Sequence, residues 1–451
     1  MERESHLIMK EIIKHKITHN VNRLKTSLKW VVFAILSGVL VGSVGTLFYL
    51  CMALVTLVRT KNPWLIFLLP VGGILIVGAY RLLHDERDTG TNLVLSAIHS
   101  GDELPLRMAP LIFISTLITL LFGGSAGREG AALQLGGSIG NGLGRLFHFD
   151  EKDKHIMIMC GMSAAFSALF GTPVAAAVFA LEVTTIGIFH YSALFPSIFS
   201  SVVAHQMAVF AGIGSETFNI GPIPDFNLYH GIRIMLIAII CTEIGVLFCL
   251  LLHQTEHFFQ TRFKNEYVRI IFSGLLIIAL TLICGTRDYN GTGVNIIQAC
   301  FDGQCVPYAF LLKILFTAIT LAGNYKGGEI VPSFAIGASS GFIMAALFHT
   351  SPGISTACGM IAVFCSVTNC PIASLIIGLE MFGFKGLDYY MITVAIAHLL
   401  SGYQDSEICC FKNRACTEGY RKIKNTGDKW MPLIPGIFHL FDVKSLTLMG
   451  Y

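Results

Sequence analysis

Gly161-Met162-Ser163-Ala164-Ala165-Phe166 leads through Pro173 and Ala175 to Leu181-Glu182, and about two hundred residues further on Gly359-Met360-Ile361-Ala362-Val363-Phe364 leads through Pro371 and Ala373 to Leu379-Glu380. The offset between the identities is constant, so one stretch is written twice. Upstream, Gly127-Arg128-Glu129 recurs as Gly327-Gly328-Glu329, with Gly137 and Gly337 following at equal distances from the two glutamates. Both copies lie in apolar sequence broken by glycine and proline. Tandem halves with interrupted membrane helices mark transporters whose site lies between the repeats. The duplication therefore predicts translocation of an ion or solute.

Composition agrees. Hydrophobic residues make up 54% of the chain and charged ones only 13%, a balance foreign to soluble domains of this length. An all-α polytopic membrane protein is expected. The first clear span, Trp30 to Val55, follows a basic segment containing Lys10, Lys14, Lys16, Arg23, Lys25 and Lys29. Juxtamembrane cations favour the cytoplasmic side, and with so long and charged a leader no cleaved signal peptide is expected. The stretch from Lys412 to Lys429 is also basic, so both termini are expected in the cytoplasm. No added regulatory domain is expected in so short a tail.

The formal net charge of +3 gives no reason to expect a nucleic-acid partner. Of thirteen cysteines, Cys51, Cys160, Cys241, Cys249 and Cys365 sit singly in apolar runs as small packed hydrophobes. Cys300 and Cys305 are close enough in a polar loop to pair, but the odd count and Cys409, Cys410 and Cys416 in the tail favour mainly free thiols. No metal-ligand spacing stands out, and neither metal nor cofactor is expected.

Long apolar runs lie near 30–58, 108–123, 191–213, 230–254, 268–284, 308–322, 340–348 and 387–400, and shorter ones at 129–147, 156–169, 172–184, 330–338, 357–367 and 371–382. The short runs fall below the roughly twenty residues a helix needs to cross the hydrocarbon, which places helix ends inside the bilayer. Their unpaired N–H groups then need protein, water or ligand, because lipid offers no acceptor. Taken singly, such segments also suit close helix packing. As repeated pairs ending in Gly, Pro and Glu, they point to a site. The expected division is a cytoplasmic segment at 1–27, a first membrane repeat at 28–211, a polar linker at 212–229, a second repeat at 230–411 and a cytoplasmic tail at 412–451.

Glu129 opens a short apolar helix after Gly123-Gly124-Ser125-Ala126-Gly127-Arg128. Free backbone N–H groups and the positive end of the helix dipole favour an anion there. If a mobile anion and the glutamate compete for the same donors, protonating the glutamate frees the site and couples proton to anion movement. The other reading of Glu129 is a cap on its helix beside Arg128.

Gly127-Arg128-Glu129-Gly130 with Gly136-Gly137-Ser138-Ile139-Gly140 closely resembles the anion-pathway signature of the CLC family of chloride channels and proton-coupled anion antiporters. Gly327-Gly328-Glu329-Ile330-Val331-Pro332 stands where that family has a Gly-x-Phe-x-Pro motif, and the Leu379-Glu380 helix end is similar to its penultimate membrane segment. The resemblance covers about residues 30 to 410. It implies a CLC-type fold of two inverted-topology repeats, a homodimer with one pore per subunit, an anion site lined by Gly127, Arg128, Gly130, Ile330 and Val331, and Glu129 as the proton-coupled gate.

The departures narrow it. Where chloride-selective branches place Gly-Ser-Gly-Ile-Pro, this chain has Gly90-Thr91-Asn92-Leu93-Val94; Ala131 replaces a proline, Ile330 the motif's phenylalanine, and Glu329 enters as a second acidic site. These changes resemble the bacterial fluoride-exporting branch, which exchanges fluoride for protons and resides in the bacterial inner membrane. Fluoride is small and strongly hydrated, so its site must replace water with close donors. Asn92 offers two amide N–H groups and Thr91 a hydroxyl, although Asn92 also suits an N-cap for a helix starting at Leu93.

Glu329 reads as repeat-related to Glu129 and able to repel an anion or relay a proton, since acidic residues in membrane segments are costly. Glu182 and Glu380, at helix ends, suit structural roles. Val183 stands where proton-coupled chloride transporters carry an inner glutamate. At the family's inner tyrosine position the alignment gives Glu407, with Tyr403 nearby.

Two further functions compete. Chloride/proton exchange, or a passive chloride channel, fits the same family, and Val183 suits the channel. Gly337-Ala338-Ser339-Ser340-Gly341 matches a serine-hydrolase elbow, with His349 and His398 as bases; no strand pattern precedes it, and no catalytic residue is expected.

Overall fold

Helices that are apolar on most sides, as here, must be covered by lipid or by one another. In the computed structural model, which describes residues 2–83, 91–100, 104–184 and 190–401, they pack on one another and leave other large apolar side chains exposed. The first half runs α1 (Glu2–Lys61), a 3-10 turn (Pro63–Leu68), α2 (Leu69–Leu82), α3 (Thr91–Ser100), α4 (Met108–Leu121), α5 (Glu129–Leu146), α6 (Glu151–Phe170), α7 (Pro173–Glu182) and α8 (Tyr191–Phe210). The second half repeats the order: α9 (Leu228–Arg262), α10 (Glu266–Cys284), α11 (Val294–Phe301), α12 (Ala309–Ala322), α13 (Ile330–Phe348), α14 (Pro352–Thr368), α15 (Pro371–Phe382), a 3-10 turn (Phe384–Gly386) and α16 (Leu387–Ser401). Among the described residues eight α-helices answer eight. Among the described residues six helical segments are long and apolar enough to span a bilayer, and the protein is an all-α membrane protein.

Two differences from the sequence reading have local causes. Pro63–Leu82 forms a span that the apolar runs omitted, its hydrophobic stretch being interrupted by Pro70, Gly72 and Gly73. The runs expected separately at 330–338 and 340–348 are one helix, α13, because Gly337, Ser339, Ser340 and Gly341 lower the hydropathy without breaking the backbone.

These small residues serve packing. A Cβ on Gly337 would strike the carbonyl of Gly359 on α14, and one on Gly341 the carbonyl of Ser355. In the first half, Gly136 and Gly140 of α5 press in the same way on the carbonyls of Gly161 and Met157 of α6. The packing thus corrects the sequence pairing: Gly136, not Gly137, is the counterpart of Gly337, while Gly137 faces Val94 of α3.

The serine-hydrolase reading ends here. Ser339 and Ser340 lie mid-helix, their hydroxyls bonded to helix carbonyls, with no strand or sharp turn before them. His398 meets Asn369 instead. Cys300 and Cys305 are both free thiols.

At one junction of the halves, Gly127 and Gly328 form an antiparallel bridge: Gly127 N–H donates to Gly328 O at 2.5 Å and Gly328 N–H to Gly127 O at 2.9 Å. Antiparallel pairing of equivalent segments is what a two-fold between inverted repeats produces. A second reciprocal contact lies at α7 and α15. Glu182 at the end of α7 accepts from Ile372 and Ala373 N–H (3.1 and 2.8 Å) at the start of α15, and Glu380 on α15 accepts from Val174 and Ala175 N–H (3.1 and 2.9 Å) at the start of α7. Each carboxylate satisfies N–H groups that its partner helix leaves open.

Candidate anion site between the repeats

α5 and α13 begin on either side of the glycine bridge, so two helix N-termini converge at its centre. Glu129 is the first residue of α5 and is fully buried. Its Oε2 accepts from the N–H of Arg128 at 3.0 Å and from the N–H of Val331, in the first turn of α13, at 3.1 Å. A carboxylate of the first repeat thus occupies the donor position of the second. Its Oε1 has no hydrogen bond and lies 3.6 Å from Arg128 Nε. Gly127 must be bare: a Cβ there would meet Glu129 Oε2, Gly328 O and Pro332 Cδ. Gly130 is buried one residue on, and its N–H lies where a Cβ on Gly328 would come within 2.6 Å.

Arg128 faces the other way. Its guanidinium lies over the rings of Tyr49 and Phe170, with centroids at 5.1 and 5.3 Å, and pairs through Nη2 with Glu216 of the segment between α8 and α9. Glu329 is not the counterpart of Glu129. The bridge joins Gly127 to Gly328, and Arg128 and Glu329 each immediately precede their helix with closely similar backbones (φ −111°, ψ −14° and φ −97°, ψ −11°). Glu329 is therefore the structural counterpart of Arg128, and Ile330 that of Glu129; matching letters had shifted the register by one. The charged groups in range of the Glu329 carboxylate are Glu129 and Glu256.

Thr91 and Asn92 form the first turn of α3. That helix starts two residues before Leu93, so Asn92 is inside it and not its N-cap; the ligand role assigned to the two side chains lies outside the described residues. So do Tyr403 and Glu407. Glu182 and Glu380 are engaged with each other's helices, away from the bridge.

One residue that sequence reading passed over supports the site. Lys313, alone among apolar neighbours in α12, is fully buried and donates to Ser125 Oγ (2.9 Å), Gly291 O (2.7 Å) and Tyr289 O (3.2 Å). Ser125 is held further by Thr320 and Thr317 of α12, and the loop before it by Asn290 and Gly291, which bond Gly123 O and Gly124 O. The stretch leading to Glu129 is thus clamped by the second repeat. A lone cation in an apolar run was the available signal.

Convergent half-helices, backbone N–H groups aimed at a buried anionic oxygen and inverted repeats around them define an anion transporter. The chain belongs to the voltage gated chloride channel (CLC) family, whose sequence profile matches residues 72–402. It is 34% identical over 382 residues to a chloride/fluoride channel protein of Pseudomonas syringae pv. tomato, covering 83% of this chain and 84% of that one. An H(+)/Cl(-) exchange transporter ClcA of Vibrio vulnificus is 25% identical, covering 94% and 96%. Among solved structures, a CLC-type fluoride/proton antiporter superposes with a TM-score of 0.80 at 34% identity, covering 83% of this chain and 95% of that one.

Proposed function

We propose that the protein is a proton-coupled fluoride exporter, in which Glu129 alternately occupies the anion site and carries a proton. The observation that carries this reading is the Val331 N–H bonded to Glu129 Oε2. An ionised carboxylate there excludes an anion from the same donor. Protonation removes its charge and weakens its hold on the N–H groups of Arg128 and Val331, so that fluoride replaces it, with Gly127, Gly130 and Ile330 completing the backbone cage and Thr91 and Asn92 the side-chain donors. Glu329, at the start of α13, passes protons toward the inner face in place of the inner glutamate that Val183 replaces, and Tyr403 or Glu407 closes the inner end.

Proton entry drives fluoride out. The two movements carry charge of the same sense, so the membrane potential adds about 2.3 kcal/mol per elementary charge per 100 mV. The likeness to the chloride/fluoride channel protein and to the fluoride/proton antiporter supports fluoride; of the second reading, a chloride channel or exchanger, Val183 favours the channel. In this proposal the protein is a homodimer in the lipid of the bacterial inner membrane, with both termini cytoplasmic and repeats at 28–211 and 230–411.

Liposome efflux followed by fluoride and chloride electrodes, with proton uptake recorded in parallel, tests it. Fluoride efflux is expected to outpace chloride and to draw protons in; faster chloride efflux rejects the substrate. Glu129→Gln is expected to abolish proton uptake, and intact coupling in that variant rejects the gate.

A further inference from the structure

The segment between α8 and α9 has no regular structure, yet it is tightly placed. Ile213 N–H donates to Ala208 O, Glu216 N–H to Phe170 O at 3.0 Å and Phe218 N–H to Met381 O at 3.1 Å. Phe218 stacks on Phe301 with ring centroids 5.1 Å apart, and Ser215 packs against Gly171 at the end of α6. The segment is therefore a strap bonded to both repeats. It holds one carboxylate over the site: Glu216, whose side chain is 18% exposed, bonds Arg128, whose side chain is 8% exposed.

Arg128 thus stands between two carboxylates and treats them unequally. Its Nη2 is committed to Glu216, while Glu129 receives only the Nε at 3.6 Å. A buried guanidinium deprived of its partner is costly. Were Glu129 its sole counter-ion, each departure of that carboxylate would strand the cation and each return would bind it more tightly. Glu216 removes that penalty by staying behind.

We infer that Glu216 is a positioning residue of the gate: by holding Arg128 from the strap, it keeps Glu129 free to be protonated and to leave the anion site. The inference rests on the reading of Glu129 as the gate. Among the described residues, the charged or titratable groups facing Glu129 are Arg128 beside it, Glu216 on the strap, Glu329 before α13, and Tyr49 of α1 beneath Arg128. Of these, Glu216 is the negative charge that competes for Arg128.

The test is fluoride efflux from liposomes at a series of symmetric pH values. Removing the negative charge in Glu216→Gln leaves Arg128 wholly to Glu129 and favours the ionised, site-blocking form. The pH of half-maximal efflux is expected to fall by about one unit, the effect of a charge a few ångströms beyond the guanidinium at an effective dielectric near 20. Efflux near neutrality then drops several-fold while the acid-limit rate is kept, and Glu216→Asp recovers most of the shift. In the Glu129→Gln background, Glu216→Gln is expected to leave chloride and fluoride flux unchanged. An unmoved pH profile, or a rate lowered equally at every pH, overturns the inference and leaves Glu216 as a fastening of the strap. If Glu129→Gln alone retains proton coupling, the gate reading has failed instead, whatever Glu216→Gln does.

Discussion

At Gly127 the space for a side chain is taken by a neighbour's carboxylate. A methyl there would meet Glu129 Oε2 and stand 2.9 Å from both Gly328 O and Pro332 Cδ, so either the glutamate or the bridge must shift. Gly127→Ala is expected to slow fluoride efflux by about tenfold, equivalent to about 1.4 kcal/mol of barrier. Wild-type efflux in this variant would show that the carboxylate need not sit on the glycine.

Much of the site was legible at this scale. Glu129, Gly127 and the second helix start were identifiable because glycine, charge and a broken apolar run coincide in one short stretch. The register of Glu329 was not. Identity of letters pairs it with Glu129, whereas its backbone pairs it with Arg128, and only the position at which each helix begins distinguishes them. Glu216 was hidden for another reason: it lies in a polar linker whose contacts with Arg128 depend on how the whole chain closes.

Among the elements, α12 carries a buried cation beside the hydroxyls of Thr317 and Thr320. Lys313 spans from α12 to the loop before α5 and the loop before α11, and among the described residues no carboxylate pairs with it. Two effects oppose each other. Burying the ammonium is costly, but its three acceptors include the carbonyls of Tyr289 and Gly291, which lose this donor if it is removed. Hydrogen bonds from a charged donor contribute about 1.5–3 kcal/mol each, and a buried acceptor left open costs a comparable amount. The bonds are expected to win: Lys313→Met lowers the thermal midpoint in detergent and slows efflux by loosening the Gly123–Gly127 loop. An unchanged or raised midpoint would mean that desolvation outweighs them. Element boundaries were less legible than element order, as α13 shows; small residues read as interruptions in hydropathy but act as contact points between helices.

At the scale of the molecule, the fold is two copies of one design locked by reciprocal contacts. The glycine bridge aligns the helices that face the site, and the Glu182 and Glu380 pair aligns α7 with α15. Glu182→Gln and Glu380→Gln are each expected to cost about 1–3 kcal/mol of stability, read as a lowered thermal midpoint. Because both act on the same pair of helices, the double variant should depart from additivity. Strict additivity would indicate that each carboxylate serves only its own local contact. The duplication in the sequence revealed this symmetry but not its fastenings, since no spacing along the chain shows that a residue in one half completes a helix in the other.

That reciprocity has a consequence for biogenesis. While the ribosome is still making the second half, Val174 and Ala175 have no carboxylate to receive their N–H groups, and Glu182 has no helix start to bond. The first repeat can enter the bilayer early, but α7 reaches its final set of bonds only after residue 380 has been synthesised and inserted. Assembly therefore includes a late closure between halves, and the transport site forms as a product of that closure.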